Sequence, residues 1–421
     1  MTHPGPHHPF GTPWQQPPGP IPSAPPPAAP PPGEPEIIEL AENRGSQGGA
    51  ITCATCGSSD IRYLIEMRSL VCANCRSRWN EPRIEDEVDL TGGISELEGT
   101  ELTRTARDLM ADQATLTFKC SGCGAEVVIN TSETGQVRCH WCRTYLSAGA
   151  QIANGAVPDA ILPFLVPKAH AVEIIRGFVN QRQFYAHPRF KREFQPENVV
   201  GVYLPYFVFD GRATGQVTGQ GEVLRRRWTE RRGENTYVTY YSADVYDIAR
   251  RFELNVDDLL LESNAERANM ADPSQTNNII NAILPFDVKS ALRYNPNYLR
   301  GFTSETRNVN ISQLDQVVED KLLSITRAKA DQMVRHYNRG VRWDTEHVDL
   351  HGARWVTAYL PIWLYSYYQP EKRLKHFVAV NGQNGNVMGS VPLNMPVLIL
   401  MTLLVFAIGS VIGFLILLTM L

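Results

Sequence analysis

The residues best suited to chemistry in this chain are its eight cysteines, which form two groups of four with the same spacing, C-x2-C-x15-C-x2-C. The groups are Cys53, Cys56, Cys72 and Cys75, and Cys120, Cys123, Cys139 and Cys142. Each C-x2-C pair places two sulfurs at one turn, and two such pairs surround one tetrahedral ion. The spacing therefore predicts two structural zinc ions, each with a closed coordination sphere that has no position for a catalytic water.

The residues between the cysteine pairs predict small β-hairpins, so each quartet is interpreted as a zinc ribbon. Residues 61–71 and 125–137 are rich in β-branched side chains, and Gly57 and Gly124 follow the first pair of each quartet. A module this small has little core, so metal binding supplies most of its folding free energy. Disulfides or a redox pair are the alternative. The absence of an N-terminal export signal and the matched double quartet favour zinc.

The C-terminal residues 397–421 contain no charge. As a helix they would be about 37 Å long, more than the ~30 Å of a bilayer's hydrocarbon core. A core helix is rarely so uniformly apolar, so this segment predicts a transmembrane anchor that begins after Pro392 and Pro396. The basic stretch 371–376 and the need of zinc thiolates for a reducing compartment place the N-terminus in the cytoplasm.

Within this anchor, Gly409 and Gly413 form a G-x-x-x-G motif. Small residues at that spacing let two membrane helices approach closely, which would give a homodimer through the helix. Glycine is also common in membrane helices that pair with nothing, and the motif does not decide between the two interpretations.

Composition and motifs divide the chain into segments of an α+β protein: two small β zinc ribbons, a duplicated α+β body and one C-terminal transmembrane helix. Fifteen prolines within residues 1–35 predict a disordered N-terminal tail. The predicted segments are the tail at 1–49, ribbon 1 at 50–82, an acidic linker with a helix at 83–115, ribbon 2 at 116–150, the body at 151–395 and the membrane helix at 396–421.

The body contains an apparent duplication, with halves at about 158–275 and 276–391. Each half has an ILPF motif, a helical stretch and an aromatic strand that contains Tyr-Leu-Pro. These are 161–164, 168–184 and 201–211 in the first half, and 283–286, 311–337 and 357–367 in the second. We expect Ser312 to cap the second helix and both aromatic strands to be half-buried.

The charge of two segments indicates which kinds of partner they could bind. Residues 50–150 hold ten cationic and fourteen acidic side chains, and two Zn(Cys)4 sites bring the net charge to about −8. This favours protein over nucleic acid as the partner of the ribbons. The dense basic run RRRWTERR at 225–232 is interpreted either as a solvated hairpin end or as a patch that binds phosphates of lipid or nucleic acid. If it binds phosphates, lipid is favoured over nucleic acid, because the anchor holds the body near a negatively charged leaflet. Its candidate residues are Arg225, Arg226, Arg227, Trp228, Arg231 and Arg232.

Residues 50–390 resemble a family of bacterial, partly membrane-linked zinc-ribbon proteins of the TFIIB type, often labelled primosomal protein N′ or superfamily II helicase. The resemblance rests on CxxCG, ILPF, FQPENVVGVYLPYFVFDG, ILPFDVKSALRYNPNYLRGF, YLPIWLYSY and FVAVNGQNGNV. The helicase label finds no support, because a P-loop needs Gly-Lys and no glycine here precedes lysine. Relatives that occur with phage-shock and flotillin-like proteins imply a recruiting role at the inner membrane.

The sequence thus predicts a tail-anchored adaptor or scaffold in the inner membrane that recruits protein partners, with an envelope-stress role implied by the resemblance. A membrane-tethered nucleic-acid-binding accessory protein is the alternative. We expect no enzymatic activity, since the chain lacks P-loop, G-x-S-x-G and H-E-x-x-H motifs.

Overall fold

The computed structural model combines β-sheets with few helices, which confirms the α+β class. The described residues are 36–38, 52–87, 93–107, 115–119, 126–130, 138–141, 151–152, 158–233, 236–265, 282–369 and 374–420. The predicted disordered tail lies outside these residues, apart from a short strand at Glu36–Ile38.

The secondary-structure elements are numbered along the chain. The strands are β1 (Glu36–Ile38), β2 (Ile61–Leu64), β3 (Ser69–Cys72), β4 (Arg78–Trp79), β5 (Gly99–Thr103), β6 (Thr115–Lys119), β7 (Glu126–Asn130), β8 (Gln151–Ile152), β9 (Ala160–Ile161), β10 (Val200–Arg231), β11 (Tyr237–Glu262), β12 (Leu292–Arg293), β13 (Thr303–Ser304), β14 (Gly340–Gln369), β15 (Leu374–Asn381) and β16 (Val387–Gly389). The helices are α1 (Ile84–Glu87), α2 (Arg104–Arg107), α3 (Lys168–Asn180), α4 (Pro188–Glu193), α5 (Asp315–Met333) and α6 (Met395–Met420).

The centre of the large sheet is an antiparallel set in the order β11–β10–β14–β15. In it, the two Tyr-Leu-Pro motifs lie opposite each other, with Leu204 paired to Leu360. Tyr203 faces Pro361 and Pro205 faces Tyr359, so the two motifs meet around a local twofold axis. Two equivalent halves would pair in this way, although duplication of the body stays a prediction.

The aromatic strands are buried on both faces, whereas an alternating, half-buried pattern was expected. Residues 201–211 of β10 are all buried. Leu204 packs in one hydrophobic cluster with Val127 and Trp141, and Tyr203 packs in another with Tyr63. The expectation failed because the two cysteine-containing regions cover opposite faces of the same sheet, and the alternation of apolar and polar residues disappears when both faces are covered.

Beyond this core, three strands continue together as an arm. We define the arm as β10 from Ala213 to Arg231, β11 from Tyr237 to Leu254, and β14 from Gly340 to Leu350. Strand β11 pairs with β10 along the whole arm, whereas β14 pairs with β10 only as far as Glu222. Helix α5 covers one face and buries Val318, Leu322, Thr326 and Ala330. Small residues on that face of β10 permit close approach: a Cβ at Gly215 would lie 2.8 Å from the Thr326 side chain of α5.

The helix of the second half begins differently from the prediction. Asn310, not Ser312, provides the cap: its side chain accepts from the backbone of Gln313, whose side chain in turn accepts from the Asn310 N–H at 2.8 Å. A single 3₁₀ turn then leads into α5. Ser312 lies inside that turn, because the reciprocal Asn–Gln box satisfies two backbone donors while an isolated serine cap satisfies one.

The predicted acidic linker contributes to the body's sheet. Its strand β5 pairs in parallel with β14, with Gly99 opposite Gly352, and Glu101 accepts a 2.8 Å hydrogen bond from Arg354. Gly352 suits this contact, because a Cβ there would lie 2.2 Å from the Leu97 carbonyl oxygen. Helical structure in the described part of the linker is limited to α1, α2 and one 3₁₀ turn.

The C-terminal helix α6 is long and apolar enough to cross a membrane. Its segment Met395–Phe414 has a mean hydropathy of 2.7, and none of that segment is buried against the protein. The chain enters α6 next to the segment between α3 and α4, where the Asn394 N–H donates to the Tyr185 carbonyl at 2.8 Å. An apolar helix without protein cover is typical of a segment that contacts lipid.

Candidate metal centre

The first cysteine pair forms a tight turn that aims both sulfurs to the same side. The carbonyl of Cys53 accepts from the Gly57 N–H at 2.8 Å, and the Cys53 N–H donates to the Ser58 carbonyl at 2.8 Å. Gly57 has φ +71°, which a glycine adopts without steric cost. The prediction that Gly57 completes this turn is confirmed.

The second pair repeats the turn with a different residue at its end. The Cys72 carbonyl accepts from the Arg76 N–H at 2.9 Å, and the Cys72 N–H donates to the Ser77 carbonyl at 3.1 Å. Arg76 takes the position of Gly57 with φ +61°, which is uncommon for a residue with a side chain. The strained backbone shows that the second turn is held in this conformation by its surroundings.

The four thiols form one compact cluster. The Sγ atoms of Cys53 and Cys75 are 3.6 Å apart, as are those of Cys56 and Cys72, and all four lie within 4.8 Å of one another. A tetrahedral ion with zinc–sulfur bonds of about 2.3 Å would separate its sulfurs by about 3.8 Å. The first quartet is therefore close enough to hold one metal ion.

Ser77 is a functional neighbour that the sequence analysis missed. Its hydroxyl lies 3.1 Å from the Sγ atoms of both Cys53 and Cys75. Hydrogen bonding from this hydroxyl lowers the pKa of Cys53 to about 5 and also lowers the pKa of Cys75. Metal binding needs the thiolate form, so Ser77 favours the state that binds. The signal was present, since a serine follows each pair at the same distance, at Ser58 and Ser77.

The second quartet lies outside the described residues except for Cys139, which is buried. The two residues after it are fixed to the body. The indole N–H of Trp141 donates to the Glu305 carboxylate, and the His140 Nε2 lies 3.3 Å from the same carboxylate. Thr303 contacts the other ring nitrogen of His140 at 3.2 Å. The residues between the last two cysteines of the chain therefore belong to the protein core.

Ribbon 1 is docked on the body. The Tyr63 hydroxyl donates to the Phe164 carbonyl at 2.9 Å, and its ring packs 5.1 Å from that of Tyr298. Arg300, only 10% exposed, donates from Nη1 to the carbonyls of Ser59 and Ile61 at 2.8 and 2.9 Å. The segment from Tyr298 to Glu305 thus contacts both cysteine-containing regions.

The basic run occupies the end of the β10–β11 hairpin. Arg225 pairs with Asp244, Arg226 lies over the Trp228 ring at 5.7 Å, and that ring stacks on Tyr240 at 5.8 Å. Arg227, Arg231 and Arg232 lie in the same exposed stretch. This end is 24 residues from Leu204, about 80 Å along the strand at 3.3 Å per residue. The structure thus separates the patch from the end of the sheet where α6 begins.

The glycines of the anchor lie one turn apart on α6, and the space around each is open: a Cβ at Gly409 or Gly413 would meet no atom within 4 Å. Both positions are therefore accessible on the helix. Whether they contact a second helix stays a prediction.

An acidic cavity at the base of the arm was not found from the sequence. The carboxylates of Asp210, Asp257 and Asp258 lie within 4.8 Å of one another beside a cavity of about 110 Å³. Burial raises the pKa of Asp210 and of Asp258 to about 6, and Lys289 lies 3.5 Å from Asp257. The sequence indicates this acidic cluster only through the adjacent Asp257 and Asp258, because Asp210 is brought next to them by the pairing of β10 with β11.

Comparison with known proteins gives a distant relative. The chain is 22% identical over 249 residues to YdjG, an uncharacterized protein of Bacillus subtilis (strain 168). The aligned part covers 58% of this chain and 66% of that relative, just under two thirds of its length. No family profile matches the chain, and no solved structure is significantly similar to it.

Proposed function

We propose that this protein is a zinc-ribbon adaptor that is anchored in the inner membrane by its C-terminal helix and recruits protein partners from the cytoplasm. The observation on which the proposal rests is the combination of an uncovered apolar helix at one end with a four-thiol cluster of which Cys53 and Cys72 are buried in the protein core. A closed four-thiolate site stabilises structure and offers no catalytic position. A non-enzymatic role fits this chemistry.

Zinc is the proposed metal in both quartets. For the first, the sulfur spacing and the all-thiolate donor set support a tetrahedral ion that prefers sulfur. For Cys120, Cys123, Cys139 and Cys142, the proposal rests on the repeated spacing in the sequence. Since each region packs on one face of the central sheet, two ions would stabilise the body from both sides.

The cytoplasmic orientation follows from the basic stretch before the anchor and from the redox requirement of the thiolates. The resemblance to proteins that occur with phage-shock and flotillin-like proteins suggests partners of those kinds in envelope stress. A partner recruited through the ribbons would meet an acidic surface, because residues 50–150 carry more acidic than basic side chains.

A second candidate function, nucleic-acid binding at the membrane, is favoured by one observation. The arginines of the arm end lie far along the strand from the anchor, where a soluble polyanion reaches them more readily than the protein's own bilayer does. The same patch would bind a phosphate of either source through charge-assisted hydrogen bonds.

The test compares the full chain with a variant lacking residues 393–421. We expect the full chain in the membrane fraction and the variant in the soluble fraction, with a tagged phage-shock or flotillin-like protein leaving the membrane alongside the variant. An unchanged membrane fraction of every such partner would refute the recruiting role. Binding of labelled DNA at physiological salt, lost on replacing Arg226, Arg227 and Arg232 by glutamine, would instead support the second candidate.

A further inference from the structure

Strand β11 presents a free edge on the arm. Among the described strands it pairs only with β10. In an antiparallel strand, alternate residues direct both backbone polar groups to the same side. The carbonyls of Ala249 and Glu253 accept from the side chains of Arg250 and Lys329 at 2.8 and 2.6 Å, which assigns the odd-numbered residues to the outer side. From residue 237 to residue 247, no described group bonds to this side.

This edge carries few of the features by which proteins block unwanted strand pairing: the charged residues of the free stretch are Asp244 and Asp247, and one register shift of β10, between Leu224 and Arg226, lies opposite Ser242. Lys, Pro and Gly are all missing from residues 237–262. The residues whose backbone groups face outward have large, exposed side chains: Tyr237 is 67%, Tyr241 51% and Val245 57% exposed, with the Arg339 guanidinium 3.6 Å over the Tyr241 ring. Natural edges are normally protected by charged residues, prolines, bulges or a covering segment. An edge of mainly β-branched and aromatic residues, without lysine, proline or a covering strand among the described residues, is typical of a strand that pairs with a partner.

We propose that β11 pairs with β11 of a second copy of this chain, antiparallel and around a twofold axis at Ser242. The free stretch 237–247 is centred on Ser242, so self-pairing uses all of it. Each odd residue then faces an odd residue, such as Thr239 opposite Val245, and every outward N–H and C=O finds a partner. Such a pairing joins the two arms into one continuous sheet.

The side chains are complementary in this register. Asp244 lies opposite Tyr240, and Asp247 lies opposite Tyr237, so each carboxylate faces a phenol that can donate to it. No two like charges lie opposite each other, which would destabilise the pair. A contact around a twofold axis uses the same surface of both copies and closes after two, so it removes the exposed edge instead of extending it into a fibre.

Cysteine cross-linking of the full chain in detergent tests this register. Around the proposed axis, Ser242 faces its own copy in a non-hydrogen-bonded pair with Cα atoms about 4.5 Å apart, within the range of a disulfide. Mild oxidation of S242C should give a covalent dimer on a non-reducing gel. The matched control is V245C, whose two copies would lie six residues apart along the strands, about 20 Å. Equal dimer yields for the two variants, or no dimer for S242C above the wild-type background, would overturn the proposal.

A second pair of variants tests the backbone bonds. Val245→Pro removes an outward N–H that does not bond to β10. Because of the twofold axis, the dimer would lose two backbone hydrogen bonds, one from each copy. We expect the dimer dissociation constant to rise about thirtyfold or more, measured by analytical ultracentrifugation in detergent, while Val245→Thr leaves it unchanged. Metal content checks that both variants fold. Equal dimer dissociation constants for the two variants would contradict the proposal. So would a dimer that persists in Val245→Pro and is abolished by replacing Gly409 and Gly413 with isoleucine.

Discussion

Ribbon 1 and the end of the arm are both small antiparallel hairpins at the margin of the body, and they are stabilised in opposite ways. The hairpin of β2 and β3 is tied by four thiols and by buried contacts to Tyr298 and Arg300. In the described part of the hairpin end of β10 and β11 the contacts lie at the surface: Trp228 stacks on Tyr240, and Arg339 lies over Tyr241, which is still 51% exposed. One hairpin is thus incorporated into the core and the other is available to a partner.

The role of each hairpin depends on what covers it. A hairpin alone is marginally stable and needs a metal, a core or a further strand. Ribbon 1 obtains stability from its contacts with the body's core, and its four thiols lie close enough to hold a metal ion. The arm obtains stability from the pairing of β10 with β14 as far as Glu222 and from α5 on one face, which leaves the β11 edge for another strand.

The largest expected effect comes from removing a metal ligand. Cys56→Ser should lower the bound zinc by one ion per chain and unfold ribbon 1, because metal binding in such sites supplies on the order of 10 kcal/mol. Elemental analysis with thermal unfolding measures both. Thr55→Ala, an exposed change in the same turn, is the control and should leave the metal content unchanged. Retention of the full metal content by Cys56→Ser would show that this quartet is not the site.

The next effect separates docking from metal binding. Arg300→Ala should destabilise the protein by about 2–3 kcal/mol, because a buried guanidinium that donates to two carbonyls is lost while the thiols remain. The metal content should not change. Arg62→Ala is the matched control: this arginine also contacts Asp60, but it is 62% exposed and should cost under about 0.5 kcal/mol. Similar melting temperatures for the two variants would refute the docking role.

On the arm, a single methyl group tests the close packing of the β10 face against the end of the α5 segment. Gly221→Ala should cost about 1–3 kcal/mol, because its Cβ would lie 2.6 Å from the Tyr337 ring. Gly233→Ala, at the hairpin end, meets nothing closer than 3.8 Å and should change the free energy of unfolding little. Denaturant unfolding of both variants provides the measurement. Equal midpoints would show that the arm accommodates the added methyl group at Gly221 without loss of stability.

The smallest expected effect is the loss of one hydrogen bond at the docked ribbon. Tyr63→Phe removes the donor to the Phe164 carbonyl and should cost about 1 kcal/mol, with the ring packing retained. Tyr246→Phe on the exposed arm serves as the control, because no described hydrogen bond depends on its hydroxyl. A larger loss of unfolding free energy for Tyr246→Phe than for Tyr63→Phe would show that the hydroxyl on the arm matters more than the one at the docked ribbon.

Local patterns in the sequence determined several features. The cysteine spacing predicted a four-thiol centre, and the hairpin between Ile61 and Cys72 formed as its β-branched residues predict. The uncharged C-terminus predicted the helix α6. These features depend on residues that are close in sequence or on hydrophobicity alone, so a single chain reveals them.

Only the tertiary structure decided how these parts meet. The pairing of Gly99 with Gly352 spans 253 residues, and no local pattern encodes which strand lies next to which. The same holds for Arg300 on ribbon 1, for Asp210 beside Asp257, and for the two cysteine regions on opposite faces of β10. Such contacts arise from packing between distant segments. The type of a residue predicts that it is buried but not which residue it packs against.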